Sequence, residues 1–419
     1  LFLITISGMI APLASTIYLP SVNLINLDLN TNDSMVDLSV SLFLFTIAVF
    51  PLMWGNLSDQ VGRRTPSIIS QVILILASLA CGLSNSIEAL IAFRVLLGIG
   101  SSAYAVIGVG IIIDLFSKEE KGFAMGIFFI GATFGPSLGP LLGGIINEYF
   151  RDWRYNFYFL FVLSIILFIL NFIFIKETLS PEKRKEIQII KIENSCFNLF
   201  NRFYVKYNLN LNPLKCFYLF FNLRVLILML YSGLIYGSYY NISLSQTRIM
   251  DEQYKLKSIE IGLSYLPSGI GNMLGSYTGG ILSDYLIKRA SIKNGNDNIN
   301  YEYRLNGAWF GVALVMLGLF LTGYHIESDH SLYLVLLAQF IIGFGMANVF
   351  IIINTYLTDI VSDKPSSITA CTNFMRFGLS GIITSFSSKL LQNLGPFYLF
   401  LIFSLLQIFG FVVLAYFTF

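Results

Sequence analysis

Charge placed at the rims of apolar segments is the chemistry this sequence offers. In Gly55-Asn56-Leu57-Ser58-Asp59-Gln60-Val61-Gly62-Arg63-Arg64 an acid and a base stand four residues apart, between the apolar stretches 40–54 and 68–83. A weaker copy, Gly280-Ile281-Leu282-Ser283-Asp284-Tyr285-Leu286-Ile287-Lys288-Arg289, closes another apolar stretch downstream, with Ile287 where the first copy has Gly62. Such groups form and release ion pairs; they do not cleave bonds. Two further cations lie deeper. Arg94 follows Glu88 by six residues, and Arg376 has Asn373 three residues before it, on nearly the same helical face. A cation at that depth costs on the order of several kcal/mol unless it meets water or a partner.

Other chemistries are absent from the pattern. No nucleophile, acid–base or metal-ligand constellation stands out, and the chain is not expected to be an enzyme or to hold a metal or cofactor. No glycine-rich loop with a lysine is present to cradle the phosphates of ATP. Cys81, Cys196, Cys216 and Cys371 lack metal or redox spacing. The net charge of +2 predicts no nucleic-acid partner.

Positioning falls to membrane helices. The 419 residues are 55% hydrophobic and 12% charged, and a run of about 20 apolar residues crosses a bilayer as a helix. Twelve spans can be placed: 1–27, 37–54, 66–83, 88–115, 122–147 and 155–175, then 224–246, 258–282, 304–324, 331–358, 366–391 and 396–419. The fold class is therefore all-α, a multi-pass integral membrane protein with the lipid bilayer as its solvent. Residues 1–175 and 224–419 are expected as two six-helix bundles, with 176–223 as a cytoplasmic linker. Loops holding Arg63, Arg64, Lys118, Lys121, Lys183-Arg184-Lys185, Lys288, Arg289, Lys293 and Lys364 belong inside by the positive-inside rule.

The halves repeat one another. Asp59 answers to Asp284, Arg94 to Gln339, and Asp114 to Asp359. Duplicated halves are a common transporter design, with the substrate site near the midplane between them. Glycines at every fourth residue mark the fifth span (Gly135, Gly139, Gly143, with Pro136 and Pro140) and the eighth (Gly271, Gly275, Gly279). They allow close backbone approach, and we expect these two helices to seal or slide along the interface between the halves. Aromatics at Tyr18, Tyr236 and Tyr240 are the cavity candidates. No acid is found in the deep middle of any span; Asp28 and Asp37 stand near outer ends.

The stretch 55–64 resembles the loop 2–3 signature of the major facilitator superfamily. Phe93-Arg94-Val95-Leu96-Leu97-Gly98-Ile99-Gly100 resembles that superfamily's fourth-helix arginine motif. The run from Gly131 to Gly144 resembles the fifth-helix antiporter motif of twelve-span drug:proton antiporters. With Ser15-Thr16-Ile17-Tyr18-Leu19-Pro20, Asn212-Pro213-Leu214-Lys215 and the run from Ile261 to Pro267, the chain is most similar to the fungal quinidine-resistance and dityrosine-exporter branch.

The resemblance implies a secondary active exporter of small amphipathic organic compounds (drugs, weak acids, polyamines or dityrosine-like metabolites), driven by proton antiport with alternating access. It also implies that Asp59 meets the start of the eleventh span near Ser366–Thr369 when the cytoplasmic side is shut, and that Arg94 assists proton coupling. Arg63 is placed to pair with Asp114. Together with Arg64, Gly55, Gly62, Asp284 and Asp359 these form a candidate conformational latch; the plainer alternative is that they cap turns and set topology. Arg94, Arg376, Asn373, Gln339 and the three tyrosines are the coupling and cavity candidates. A facilitative or uptake carrier of the same fold, or a membrane sensor that moves nothing, remains as the alternative. The proton gradient is the expected energy source, a small molecule the expected ligand, and a monomer the expected state. The plasma membrane is the first expectation for location, with vacuolar or prospore membrane as alternatives.

Overall fold

The computed structural model describes residues 1–116, 121–178, 220–294, 301–328, 331–360 and 365–418. Among them the architecture is helical throughout, without strands. The elements of the first half are α1 (Phe2–Thr16), α2 (Val22–Asp28), α3 (Asp33–Val61), α4 (Arg64–Gly82), α5 (Ile87–Ser101), α6 (Tyr104–Leu115), α7 (Lys121–Phe150) and α8 (Arg154–Phe174). Those of the second are α9 (Leu223–Glu252), α10 (Ser258–Leu263), α11 (Leu266–Asn294), α12 (Ala308–Glu327), α13 (Leu332–Ile360), α14 (Pro365–Thr384), α15 (Ser387–Leu406) and α16 (Ile408–Thr418). A 3-10 turn, Leu19–Ser21, joins α1 to α2, and another, Tyr301–Gly307, leads into α12.

Ten helical stretches are long and apolar enough to cross a membrane. Two more polar long helices, α11 and α14, run among them, which is consistent with the twelve expected spans. The linker at 179–219 and the basic residues Lys118, Lys183–Lys185 and Lys364 lie outside the described residues.

Local signals set the helix ends. The Asn32 side chain accepts the Met35 N–H at the start of α3, and Ser86 accepts the Ala89 N–H at the start of α5. Each satisfies a donor that the helix itself leaves unpaired. Helix α3 stops at Gly62, whose φ of +109° and ψ of 166° define a conformation open essentially to glycine alone. Outward faces carry apolar side chains: α8 exposes Val162, Ile166, Ile169, Phe172 and Phe174. A helix with such a face needs lipid rather than water.

The helices that carry the glycine ridges, α7 and the α10–α11 segment, do meet along the boundary between halves, as expected, but most of the ridge glycines themselves pack within each half. A Cβ at Gly135 would press on Pro12, and one at Gly143 would occupy the Ile17 carbonyl oxygen, both in the α1 segment. Gly271 and Gly275 abut the Phe340 and Phe344 carbonyls of α13, and Gly279 abuts Asn348. Gly139 lies against Thr16 and Ile17. The seam between halves uses the neighbouring face of α7: Ser137 meets Gly269, Pro140 meets Gly262, and Gly144 meets Ser258. Four-residue spacing marks a face that admits a close neighbour; it does not say which neighbour. Pro136 and Pro140 lie within the unbroken α7.

Substituting Gly143 by alanine should therefore force α7 off α1, an overpacking cost of about 1–3 kcal/mol. Gly280→Ala, where nothing lies within 4 Å of the added methyl, should be neutral or mildly stabilising, since alanine favours helix. Thermal melting of the purified protein checks the pair: the Gly143 variant should melt several degrees lower and the Gly280 variant should not.

Candidate functional site

At the cytoplasmic rim of the first half, Arg63 sits at the centre of a cluster. Its Nε donates to Asp114 Oδ2 at 3.0 Å, and its Nη1 donates to Ser58 Oγ at 2.9 Å and to Asp59 Oδ1. The guanidinium lies directly over Gly110 of α6, where any Cβ would displace it. Burial draws the Arg63 pKa down, but Asp59 and Asp114 more than reverse this and leave it above its ordinary value. Glu177 completes the cluster by accepting the Arg63 N–H at 2.8 Å and the Arg64 N–H at 3.3 Å. Its carboxylate rests where a Gly62 side chain would be. The Arg64 side chain turns away to the Phe172 carbonyl, 3.1 Å from it. Gly55 packs on Val106.

The second half repeats the cluster with a base from a different place. Arg304, in the 3-10 turn before α12, donates to Ser283 Oγ at 2.8 Å and Asp284 Oδ1 at 2.9 Å, and its Nε lies 2.7 Å from Asp359 Oδ2. Ser58, Asp59 and Asp114 thus correspond to Ser283, Asp284 and Asp359. The matching base stands twenty residues after its acid, whereas in the first half it stands four after. Spacing alone therefore missed Arg304. Asp59 is 67% exposed and Asp284 is 69% exposed at the side chain. The side chains at 366, 367 and 369, where Asp59 was expected to dock, lie outside the described residues.

Contacts between the halves gather on the outer side. Asp37 of α3 is fully buried, and its Oδ1 takes a 2.7 Å bond from Arg248 Nη2 of α9, itself 3% exposed. The other carboxylate oxygen accepts the Ser388 N–H of α15 at 2.6 Å. Asn23 bonds Asp251, Asp33 accepts from Gln392 at 3.1 Å, Ser41 Oγ lies 3.1 Å from Thr384 Oγ1, and Ser15 Oγ lies 3.1 Å from the Tyr240 hydroxyl. At the inner end Trp54, Tyr104, Ile111 and Phe128 form a core belonging to the first half alone. The conformation is thus closed to the outside. Asp37 stands near the outer end of its span, as expected, and is nonetheless fully buried, because the second half closes over it. A cavity of about 260 Å³ adjoins the pair, lined by Asp33, Arg248, Ser388 and Gln392 among others.

The two deep arginines are held by rings rather than by acids. Arg94 is fully buried, with its guanidinium 3.7 Å from the Tyr18 ring centroid and 5.0 Å from that of Phe43, and its three side-chain nitrogens have no hydrogen-bond partner. Tyr18 in turn lies 3.3 Å from Ser39 Oγ. Arg376 lies 4.5 Å from the ring centroids of Tyr236, Phe350 and Phe377, which come from α9, α13 and α14. The Tyr240 ring lies tilted at 44° to that of Tyr236, with centroids 5.3 Å apart. Gln339, the counterpart of Arg94, is buried with its Oε1 unpartnered. Asn373 is half-buried, one turn toward the cytoplasm from Arg376.

Two helical halves joined on one side of a membrane, with a ringed polar centre, define a carrier. The family model of the Major Facilitator Superfamily matches residues 4–385, and the chain belongs to that superfamily. It is similar to several fungal transporters. The multidrug transporter DTR1 of Candida glabrata is 27% identical, over 99% of this chain and 83% of its own length. Citrate exporter 1 of Aspergillus niger is 26% identical over 96% of this chain and 81% of its own. The MFS antiporter QDR3 of Candida albicans is 38% identical over 32% of this chain and 19% of its own. The human organic anion transporter MFSD10 shares the fold, with a TM-score of 0.66 at 15% identity over 99% of this chain and 98% of that one. The relatives are transporters, and the chain is a multi-pass membrane transporter rather than an enzyme.

Removing one partner of a buried ion pair costs about 3–5 kcal/mol, because the other charge is left uncompensated. Arg248→Ala should therefore favour separation of the outer ends. In a background without reactive thiols, Ser41→Cys should be labelled several-fold faster from outside when Arg248 is alanine. Unchanged protection would show that the pair does not hold the outer side shut.

Proposed function

We propose that the protein exports small amphipathic organic compounds in exchange for protons, by alternating access. The observation that carries this reading is Asp37, the one carboxyl side chain among the described residues that is fully buried and bonded across the two halves. Arg248 and the Ser388 N–H face it from α9 and α15, Asp33 lies one turn away on α3, and Tyr18 stands nearby in the first half. A proton and Arg248 compete for the same carboxylate. With the outer side shut, Arg248 occupies the carboxylate. When the halves part outside, Asp37 loses Arg248, and its carboxylate is left open to a proton from that side. Re-forming the pair drives that proton off toward the side then open, the cytoplasm.

The cytoplasmic clusters stiffen the inner rims in this proposal rather than latching the halves together, since Arg63 already holds Asp114 while the outer side is shut. Arg63 and Arg304 hold Asp59–Asp114 and Asp284–Asp359 in place, so that each inner rim moves as one piece when the inner side closes. Substrate enters from the cytoplasm toward the tyrosine-lined centre at Tyr236 and Tyr240. Relatives named for multidrug transport and for citrate export support a small organic cargo. A monomer in the plasma membrane is the simplest form consistent with export.

In proteoliposomes, efflux should be driven by an inward proton gradient and should acidify the opposite compartment. Asp37→Asn should abolish the response to the gradient while sparing substrate–substrate exchange. Gradient-independent net flux in the unaltered protein would remove antiport and leave a facilitative carrier.

A further inference from the structure

Arg376 stands apart from both the outer ion pair and the inner-rim clusters. Arg376 makes no ion pair and no side-chain hydrogen bond among the described residues; its Nε is buried and unpartnered. Three rings stand around the guanidinium at 4.5 Å. Ring faces stabilise a cation from above and below. They do not accept the five N–H groups that lie in the guanidinium plane. The side chain is thus held and aimed, with its hydrogen-bonding edge unfilled.

Its position completes the argument. Arg376 lies eleven residues after Pro365, about 16 Å along the helix at 1.5 Å per residue. Farther along the same helix, α14 touches the first half: a Cβ at Gly381 would lie 3.0 Å from the Ser41 carbonyl, and Thr384 meets the Ser41 hydroxyl. Arg376 therefore stands immediately beneath the outer seal, on the side reached from the cytoplasm. It is partly exposed, as are Asn373, Phe350 and Phe377. The fully buried acid, Asp37, is already taken by Arg248 and Ser388.

We propose that Arg376, with Tyr236, Phe350 and Phe377, is the binding site for an organic carboxylate with an apolar or aromatic body. The carboxylate bridges the in-plane N–H groups, the two-point geometry that arginine favours. The body packs on the surrounding rings. An organic amine meets an uncompensated guanidinium at the same point and is rejected. The site thus selects anions from within a cavity whose aromatic walls alone would suit cations. This rests on the export reading only in taking the central cavity as the substrate path; it does not depend on proton coupling.

The test uses the purified full chain and three probes of one shape: 4-phenylbutyrate, 4-phenylbutylamine and 4-phenylbutanol. Binding is measured by calorimetry without any gradient. The carboxylate should bind at least tenfold more tightly than the amine or the alcohol. Arg376→Gln should erase that preference, and Arg376→Lys should keep the preference for the anion with weaker binding. Equal binding of the amine, no binding of the carboxylate to folded wild-type protein, or an undiminished preference in Arg376→Gln each overturns the proposal. The comparison among probes on the unaltered protein stands even if the glutamine variant does not fold. A proton-driven flux of amines untouched by Arg376→Gln would sink the anion site and spare antiport; anion binding with flux indifferent to protons would do the reverse.

Discussion

A carboxylate and a guanidinium, both taken out of water and each supplied by a different half, hold the outer side of this molecule shut. Asp37 and Arg248 are 211 residues apart in sequence and 2.7 Å apart in space. Desolvating both charges is costly, and the attraction repays it only when the remaining lone pairs are also satisfied. The Ser388 N–H supplies that further bond, from a third helix. The pair is therefore a junction of α3, α9 and α15, and it cannot be loosened by degrees. Once water reaches either charge, the reason for keeping them together fades. Such a contact is suited to a two-state element, which a graded hydrophobic surface is not.

The arginine clusters at the inner rims follow a different logic. Arg63 ties α3 to α6, and Arg304 ties α11 to α13, each entirely within one half. Their acids Asp59 and Asp284 remain largely exposed. These clusters stiffen a half rather than joining two. Gly110 lets the Arg63 guanidinium lie flat on α6, and Gly62 lets Glu177 cap the turn at which α4 begins. Rigid halves with a breakable outer junction concentrate all movement at the boundary between them.

Much of this was legible in the sequence, and the gaps have physical causes. Hydropathy gave the membrane class and most span boundaries, because lipid demands long apolar helices. The acid–base turn at 55–64 and the pairing of Arg63 with Asp114 were readable because both stand at the same end of their spans; the further bond from Arg63 to Asp59 was not. The second copy of the turn was half readable: Ser283 and Asp284 stood in register, but Arg304 arrives from beyond the next loop, where no periodicity points to it. Asp37 looked like an outer-end residue because depth along a single helix says nothing about what covers it. The glycine ridges announced close packing, and their helices do meet at the boundary between halves; that most of the ridge glycines face α1 and α13 instead is set by tertiary arrangement. Arg94 and Arg376 were visible as deep cations; that rings rather than acids surround them was not.

The seam between α7 and the α10–α11 corner is made of Ser137, Pro140 and Gly144 against Gly269, Gly262 and Ser258. There the small residues bring the main chains of the two halves close together. Interdigitated residues would have to be extracted before two surfaces could turn on each other; smooth ones need not be. That corner is consequently a bearing, a place where the angle between the halves can change while contact is never lost.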